Sequence, residues 1–277
     1  MNKRCFAFGC SFTKWRYPTW ADFIGYNFEE YYNFANGGIN NQIIGMRFVE
    51  VDNLYNFTPN DMVLIGVTGL GRINLFLDHE GDRGIWASGD PILDVTDNYI
   101  ENVPKWKSHV NTIKFMRDNY WKRRWGIYPS WVHLKNIKKY LTAKNIPHKI
   151  IMALDNTHYR NNLMPNSEYD TLNDDEKRMV EDLYGILDLQ ISLEEFNEIH
   201  RVPRYKDTHP FMDVHFKFVL EYFPEFITER TIDILNNGMK RVENITDTTI
   251  AFNALENFKK EIQVDDSYAG KLYGTYI

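Results

Sequence analysis

The sequence predicts an α/β fold built on a parallel β-sheet. Within residues 4–68, short apolar segments alternate with segments of helical periodicity, in the order strand, helix, strand, helix, strand. This alternation indicates a parallel sheet, because a crossover helix usually connects strands that run in the same direction. Hydrophobic residues make up 43% of the 277-residue chain, which is enough for the core of one large domain or of one domain with an insertion.

The individual elements are predicted from apolar runs, helical spacing and capping residues. Thr19 and Ser130 are expected to be helix N-caps, and Asn173 with Glu176 is expected to form a capping box. The runs that predict buried strands are residues 4–8, 31–35, 62–68 and 149–155. The predicted helices are residues 19–28, 44–55, part of 106–121, 130–144, 173–189, 213–223, 225–242 and 249–262.

Two regions do not follow this alternation of strands and helices. Residues 69–128 are irregular, aromatic and charged, and we interpret them as a long insertion after the third strand. The last two predicted helices form a helical C-terminal extension that packs on the preceding residues. We therefore predict a domain of residues 1–223 and an extension of residues 224–277.

Composition narrows the classes of function. The formal net charge of −6 gives no general attraction to nucleic acid. The two cysteines, Cys5 and Cys10, exclude a disulfide scaffold and predict reduced thiols in a cytoplasmic protein. No run approaches the ~20 apolar residues that a membrane-spanning helix needs, and the apolar run near the N-terminus is too short for a signal peptide.

The segment Gly9-Cys10-Ser11 follows the first predicted strand. Ser11 is therefore expected at the carboxyl edge of the sheet, where open α/β folds bind ligands. A helix directly after it would direct backbone N–H groups toward the hydroxyl group. The plainer interpretation is an ordinary turn in which Ser11 caps a helix.

Two further segments could contribute to the same edge. Residues 33–44, NFANGGINNQII, contain glycines that allow a close backbone approach to a ligand or simply form a tight turn. In residues 206–215, KDTHPFMDVH, Asp207 could orient His209 as a general base. A surface loop, or a metal site formed by His209, Asp213 and His215, are the alternatives for this segment.

Taken in this order, the three segments resemble the SGNH hydrolase (GDSL esterase/lipase) superfamily. The resemblance covers roughly residues 4–72 and 147–223, and the last segment contributes His209-Pro210 and His215. The second segment carries it best, through the pattern Asn33-Phe34-Ala35-x-x-Gly38-x-x-Asn41-x-x-Ile44. The resemblance implies a flavodoxin-like three-layer α/β/α fold with Ser11 as nucleophile and His209 as base. It further implies the backbone N–H groups of Ser11 and Gly38 as oxyanion donors, and it implies no cofactor or metal.

The sequence departs from the family pattern at three places. Cys10 stands where the family has the aspartate of Gly-Asp-Ser. After the third strand the family supplies an asparagine to the oxyanion hole, whereas this chain has Gly71-Arg72 or, in a shifted register, Leu70-Gly71. The family's acid lies three residues before the histidine, whereas Asp207 lies two before, so the site uses either Asp207 or a Ser-His dyad oriented by a backbone carbonyl. The residues that could replace the missing oxyanion donor are Arg72, Asn41, Thr68 and Asn74.

The resemblance predicts a serine esterase that hydrolyses a small acyl ester, with an O-acetylated carbohydrate as the favoured substrate class. A small molecule is the expected partner, with no nucleic acid and no membrane, and the sequence does not indicate an oligomeric state. The alternative is a catalytically impaired member that binds a ligand or assembles with a partner. A cysteine hydrolase based on Cys10 is a third possibility. A Ser11 hydroxyl within hydrogen-bond reach of His209 would favour the esterase, and a long distance between the two side chains would favour the binding protein.

Overall fold

The structure is a computed structural model, and it describes residues 4–72, 74–77, 85–88, 110–119, 123–161, 167–201 and 209–262. Within these ranges, four strands form a parallel sheet in the order β2-β1-β3-β6, and β4 pairs with β5 in an antiparallel sheet. The strands are β1 (Arg4–Phe8), β2 (Glu30–Asn33), β3 (Asp61–Val67), β4 (Asn74–Leu77), β5 (Ile85–Ser88) and β6 (His148–Met152). The predicted α/β fold with a parallel sheet is therefore confirmed.

Helices connect the strands and continue beyond the last one. Short 3₁₀ turns lie at residues 123–126, 157–159, 169–171 and 224–226. The described α-helices are α1 (Trp20–Gly25), α2 (Asn41–Tyr55), α3 (Val110–Asn119), α4 (Ile127–Ala143), α5 (Asp174–Tyr184), α6 (Leu193–His200), α7 (Met212–Tyr222), α8 (Glu229–Val242) and α9 (Thr248–Ile262).

Both faces of the parallel sheet are covered by helices. Because side chains alternate along a strand, Phe6 and Phe8 of β1 belong to one buried cluster, whereas Cys5 and Ala7 belong to the other. The first cluster is completed by α2, α4 and α5. The second is completed by α1, α6, α7, α8 and α9. A sheet between two helical layers is the result.

The last two helices share the core of the preceding residues. Ile234 of α8 and Leu255 and Phe258 of α9 are buried in the same cluster as Trp20 of α1 and Val214 of α7. A substitution at one of these buried positions in α9 is therefore expected to disturb the core that α9 shares with α1 and α7.

Several boundaries differ from the predictions for identifiable reasons. The first helix ends at Gly25 because the side-chain amide of Asn27 donates to the carbonyl groups of Phe23 and Ile24. Ser130 is not an N-cap, since α4 begins at Ile127 and buries the Ser130 hydroxyl. The capping box of Asn173 and Glu176 is confirmed at the start of α5.

Helix α6 and the β4-β5 strand pair were not predicted. Helix α6 opens with a capping box in which the Glu195 carboxylate accepts from the backbone N–H of Ser192. The β4-β5 pair lies inside the predicted insertion, where the predicted helix corresponds to α3. The β4 and β5 segments were read as irregular because they lie in an aromatic and charged stretch without a continuous apolar run.

Candidate active site

Ser11 lies in a tight turn at the carboxyl edge of the parallel sheet. The backbone N–H groups of Thr13 and Lys14 donate to the carbonyl oxygen of Cys10, at 2.9 and 3.1 Å, and close the turn around Ser11. The next helix, α1, begins only at Trp20, so the expected helix directly behind the serine is absent from this described stretch. The turn itself presents the hydroxyl at the point where the chain order reverses across β1 and β3.

The glycine that ends β1 is required by close packing. A Cβ atom built on Gly9 would lie 2.2 Å from Oγ1 of Thr13, and one built on Gly66 of β3 would meet the same oxygen at 2.2 Å. Thr13 is fully buried and fills the space between these two glycines. The turn that carries Ser11 is therefore packed directly against the two central strands.

The structure brings His209 to Ser11. Its Nε2 atom lies 2.9 Å from Oγ of Ser11, although 198 residues separate the two in the chain. The indole ring of Trp15 stacks on the imidazole, with centroids 3.9 Å apart and planes inclined by 16°. The ring of Phe12 packs against the imidazole at a centroid distance of 5.3 Å. A serine hydroxyl within hydrogen-bond reach of a histidine is the arrangement of an activated nucleophile.

The proposed acid lies outside the described part of the chain. Asp207 belongs to residues 202–208, which the structure does not describe. On the other side of His209, the carbonyl oxygen of Pro210 accepts a 3.0 Å hydrogen bond from the buried hydroxyl of Tyr17. The chain after the histidine is therefore tied to the segment that follows Ser11.

The glycine turn after β2 passes beside Ser11. The backbone N–H of Asn36 donates to the carbonyl oxygen of Gly9 at 3.0 Å, which joins this turn to the end of β1. A Cβ atom built on Gly37 would lie 3.8 Å from Cβ of Ser11. Gly38 has φ of 73°, a conformation that favours glycine. The sequence pattern identified Gly38, and the structure adds Gly37 as a neighbour of the serine side chain.

Asn41 and Thr68 are engaged with each other. The Asn41 amide donates to the Thr68 carbonyl oxygen at 3.2 Å and to Ser130 Oγ at 3.1 Å, and it accepts from the Thr68 N–H at 3.0 Å. Both amide protons of Asn41 are thus used inside the protein. Both residues are fully buried, and the Thr68 hydroxyl has no hydrogen-bond partner among the described residues. An oxyanion would have to displace existing bonds to use the Asn41 amide.

Arg72 lies in a turn after β3. Its backbone N–H donates to the carbonyl oxygen of Gly69 at 3.1 Å, and its side chain folds over that glycine. Burial raises the pKa of the Glu194 carboxyl, while the positive charge of Arg72 acts in the opposite direction. The guanidinium therefore faces an acidic neighbour. The side chain of Asn74 lies outside the part that the structure describes.

A buried polar cluster beneath the Ser11 turn was missed by sequence reasoning. The Asp22 carboxylate accepts hydrogen bonds from the Thr19 backbone and hydroxyl, Tyr31, Asn33 and Lys259, and its side chain is fully buried. Burial alone would raise the pKa of Asp22, but the charge and hydrogen bond of Lys259, with those of Thr19 and Tyr31, hold it below its ordinary value. The Asp22 carboxyl is therefore ionised at neutral pH.

His215, the second histidine of the third segment, is a core residue. It is fully buried, and its ring centroid lies 6.4 Å from that of Tyr17. Neither ring nitrogen has a hydrogen-bond partner among the described residues. Burial lowers the pKa of its imidazole to about 3, so this ring is neutral at physiological pH. In the described ranges, no three His, Cys, Asp or Glu side chains converge as a metal site would require.

Cys10, directly before Ser11, is a core residue. Its side chain is fully buried in the same cluster as Cys5, and both thiols are free. The hydroxyl of Ser11, not the thiol of Cys10, faces the imidazole. The local geometry therefore favours the serine over the cysteine as the nucleophile.

Neither models of known protein families nor curated proteins give a match to this chain. Among the described helices, none combines the length and the apolar character needed to cross a membrane. The function is therefore inferred from the geometry of the site and from the motifs that compose it.

Proposed function

We propose that the protein is a serine hydrolase of SGNH type that hydrolyses a small acyl ester. The observation that carries this proposal is the 2.9 Å separation between Ser11 Oγ and His209 Nε2, at the sheet edge beside the Gly37-Gly38 turn. Separation beyond hydrogen-bond reach would have favoured a binding protein.

The proposed reaction is acyl transfer through the serine. The His209 imidazole accepts the Ser11 proton on Nε2 while Oγ bonds to the ester carbonyl carbon. Collapse of the tetrahedral intermediate breaks the bond to the alcohol, which takes the proton from the imidazolium. Water then attacks the acyl-serine while His209 takes its proton. The bond between the acyl carbon and Ser11 Oγ breaks, Oγ takes the proton from the imidazolium, and the carboxylic acid leaves. Asp207 is the proposed group that orients the imidazole.

The fold supports this proposal without establishing it. The order β2-β1-β3-β6 matches the first four strands of a flavodoxin-like sheet, in which ligands bind at the reversal beside β1. The turns that carry Ser11 and Gly38 meet at that reversal, so their backbone N–H groups are the proposed oxyanion donors. Arg72, on the turn after β3, is the proposed additional source of positive charge.

The proposed substrate class is a small acyl ester, with an O-acetylated carbohydrate favoured. Only 8% of Ser11 is exposed, which suits a small acyl group better than a bulky one. Trp15 and Phe12 form apolar walls around His209, against which the face of a sugar ring could pack. The free thiols of Cys5 and Cys10 fit the reducing cytoplasm, which is the proposed location.

A ligand-binding protein is the second candidate, because a specific observation favours it. The side chain of Asn41 is committed to Thr68 and Ser130, and no asparagine occupies the family position after β3. Loss of one oxyanion donor typically lowers the rate by ~10²–10³. A protein of this fold that keeps the pocket but no longer catalyses hydrolysis would bind its ligand without turnover.

Labelling with a fluorophosphonate probe tests the proposal. The folded protein is treated with the probe, the site is mapped by mass spectrometry, and hydrolysis of p-nitrophenyl acetate is followed in parallel. We expect labelling at Ser11 that is lost in Ser11→Ala and in His209→Ala and retained in Cys10→Ala. A folded protein that neither labels nor hydrolyses the ester would instead support the binding protein, and labelling at Cys10 would reverse the order of the two nucleophiles.

A further inference from the structure

The segment between Ser11 and α1 supports the histidine directly. We call residues 12–19 the nucleophile loop. Two of its rings, those of Phe12 and Trp15, pack on the imidazole of His209, and Tyr17 donates to the Pro210 carbonyl oxygen. The position of the loop therefore determines where the imidazole rests relative to Ser11.

Lys259 holds this loop from the opposite end of the chain. Its ammonium group, on α9, donates to Asp22 Oδ2 at 2.6 Å and to the carbonyl oxygens of Trp15 and Tyr17, at 3.2 and 3.4 Å. Its side chain is only 6% exposed. A lysine ammonium has three protons, so these three acceptors use its full capacity. The group therefore behaves as a fixed internal bridge rather than a solvated charge.

The remaining bonds of the cluster hold a third carbonyl of the nucleophile loop. The carbonyl oxygen of Thr13 accepts from Thr19 Oγ1 at 2.7 Å and from the Asn33 amide at 2.9 Å. Both of these donors also bind Asp22, which Lys259 neutralises. The carbonyl groups of residues 13, 15 and 17 are thus all held by one charged cluster.

We propose that Lys259 is a positioning residue for the proposed general base. It fixes the nucleophile loop against which the His209 imidazole rests, and so keeps Nε2 within reach of Ser11. This inference rests on the proposed serine hydrolase, and it adds a residue that lies outside the three segments of the family resemblance. Misplacement of a reacting group by ~1 Å can cost about 10²-fold in rate.

A merely structural lysine would stabilise the fold and leave the chemistry of each folded molecule unchanged. Removing Lys259 alone leaves the Asp22 carboxylate buried without its counter-charge, which could prevent folding. Two variants are therefore compared, Lys259→Met and the double variant Asp22→Asn/Lys259→Met, which removes both charges together. Lys260→Met is the matched control, because Lys260 is exposed and pairs only with Glu256 in the described contacts.

The rate of Ser11 labelling by the fluorophosphonate is measured as a function of pH at a temperature where circular dichroism shows each variant fully folded. We expect the rate per folded molecule to fall at least about 10-fold in the double variant, with a displaced pH midpoint, and to stay unchanged in Lys260→Met. A folded double variant that labels at the wild-type rate with the wild-type midpoint would overturn the positioning role.

A second measurement separates this inference from the proposed function. Side-chain NMR of His209, identified by its loss in His209→Gln, reports the environment of the imidazole whether or not Ser11 reacts. A wild-type protein that does not label would defeat the proposed hydrolase. In that case, displaced His209 resonances in the folded double variant would still support positioning by Lys259, and unchanged resonances would contradict it.

Discussion

The indole of Trp15 lies nearly parallel to the imidazole of His209, with ring centroids 3.9 Å apart and planes inclined by 16°. Phe12 contacts the same imidazole in a tilted arrangement. Together these rings restrict rotation of the histidine about its side-chain bonds, while Nε2 remains directed at Ser11. The His209 imidazole is therefore oriented by aromatic packing from the nucleophile loop as well as by any hydrogen bond at Nδ1.

Replacement of Trp15 tests this packing. We expect Trp15→Ala to lower the rate of Ser11 labelling about 10-fold, since a looser imidazole spends less time in reacting geometry. Trp15→Phe should keep most of the rate because it preserves a flat ring. Trp125→Ala, at a tryptophan that is 47% exposed, is the control and should label like the wild type. Equal rates in Trp15→Ala and wild type would show that stacking does not orient the base.

Gly9→Ala should destabilise the fold. The new Cβ would approach Oγ1 and Cβ of Thr13 to 2.2 and 2.7 Å, so the central strands or the Ser11 turn must shift. Overpacking of this kind costs about 1–3 kcal/mol in the free energy of unfolding, which urea denaturation measures. At Gly185 the nearest atom would lie 3.4 Å away, so Gly185→Ala is the control and should cost less. Equal losses at both positions would contradict the packing argument.

Asn41→Ala should lower the free energy of unfolding and have little effect on the rate of Ser11 labelling per folded molecule. The substitution removes three buried hydrogen bonds and leaves groups of Thr68 and Ser130 without that partner. A loss of about 2–3 kcal/mol in the free energy of unfolding is expected. Gln42→Ala, at the half-buried neighbouring position, is the comparison and should cost less. If Asn41 instead supplies an oxyanion donor, the labelling rate per folded molecule should fall by ~10²–10³.

His215 makes stability depend on pH in a definite direction. Its imidazole has a pKa of about 3 when folded, because burial disfavours the charged form, whereas an unperturbed histidine titrates near 6.5. Between pH ~3 and pH ~6.5, His215 is protonated in the unfolded chain and neutral in the folded protein. Stability from this group is therefore fully present above pH ~6.5 and declines as pH falls toward 3, by about 1.4 kcal/mol per pH unit within the window.

Urea denaturation of the wild type and of His215→Leu at pH 7.5, 6, 5 and 4.5 measures this contribution. The difference in free energy of unfolding between the two proteins should change with pH below about 6 and stay constant above about 7. Asp22, Lys259 and His209 influence the His215 pKa, and they remain in both proteins. Parallel curves across the whole range would show that His215 is not buried in its neutral form.

The features that could be predicted from the sequence are those that short segments and motifs determine. Apolar runs next to turn residues placed β1 and β3, and motif order brought Ser11 and His209 into one hypothesis although 198 residues separate them. Sequence reasoning failed where the signal is a tertiary contact. Lys259 looks like any charged residue of an amphipathic helix, and nothing near it in the chain indicates that it faces Asp22. Ser130 has the chemistry of a cap but is used as a buried acceptor for Asn41.

The pairing of Asp22 with Lys259 joins residues that are 237 positions apart. Contacts of such separation close long loops, and their entropic cost is recovered only when most of the chain has collapsed. During refolding from denaturant, secondary structure should therefore return before Ser11 becomes reactive toward the fluorophosphonate, and simultaneous recovery would argue against this order. On the proposed function, a partly folded chain in which α9 has yet to dock would carry an unreactive Ser11.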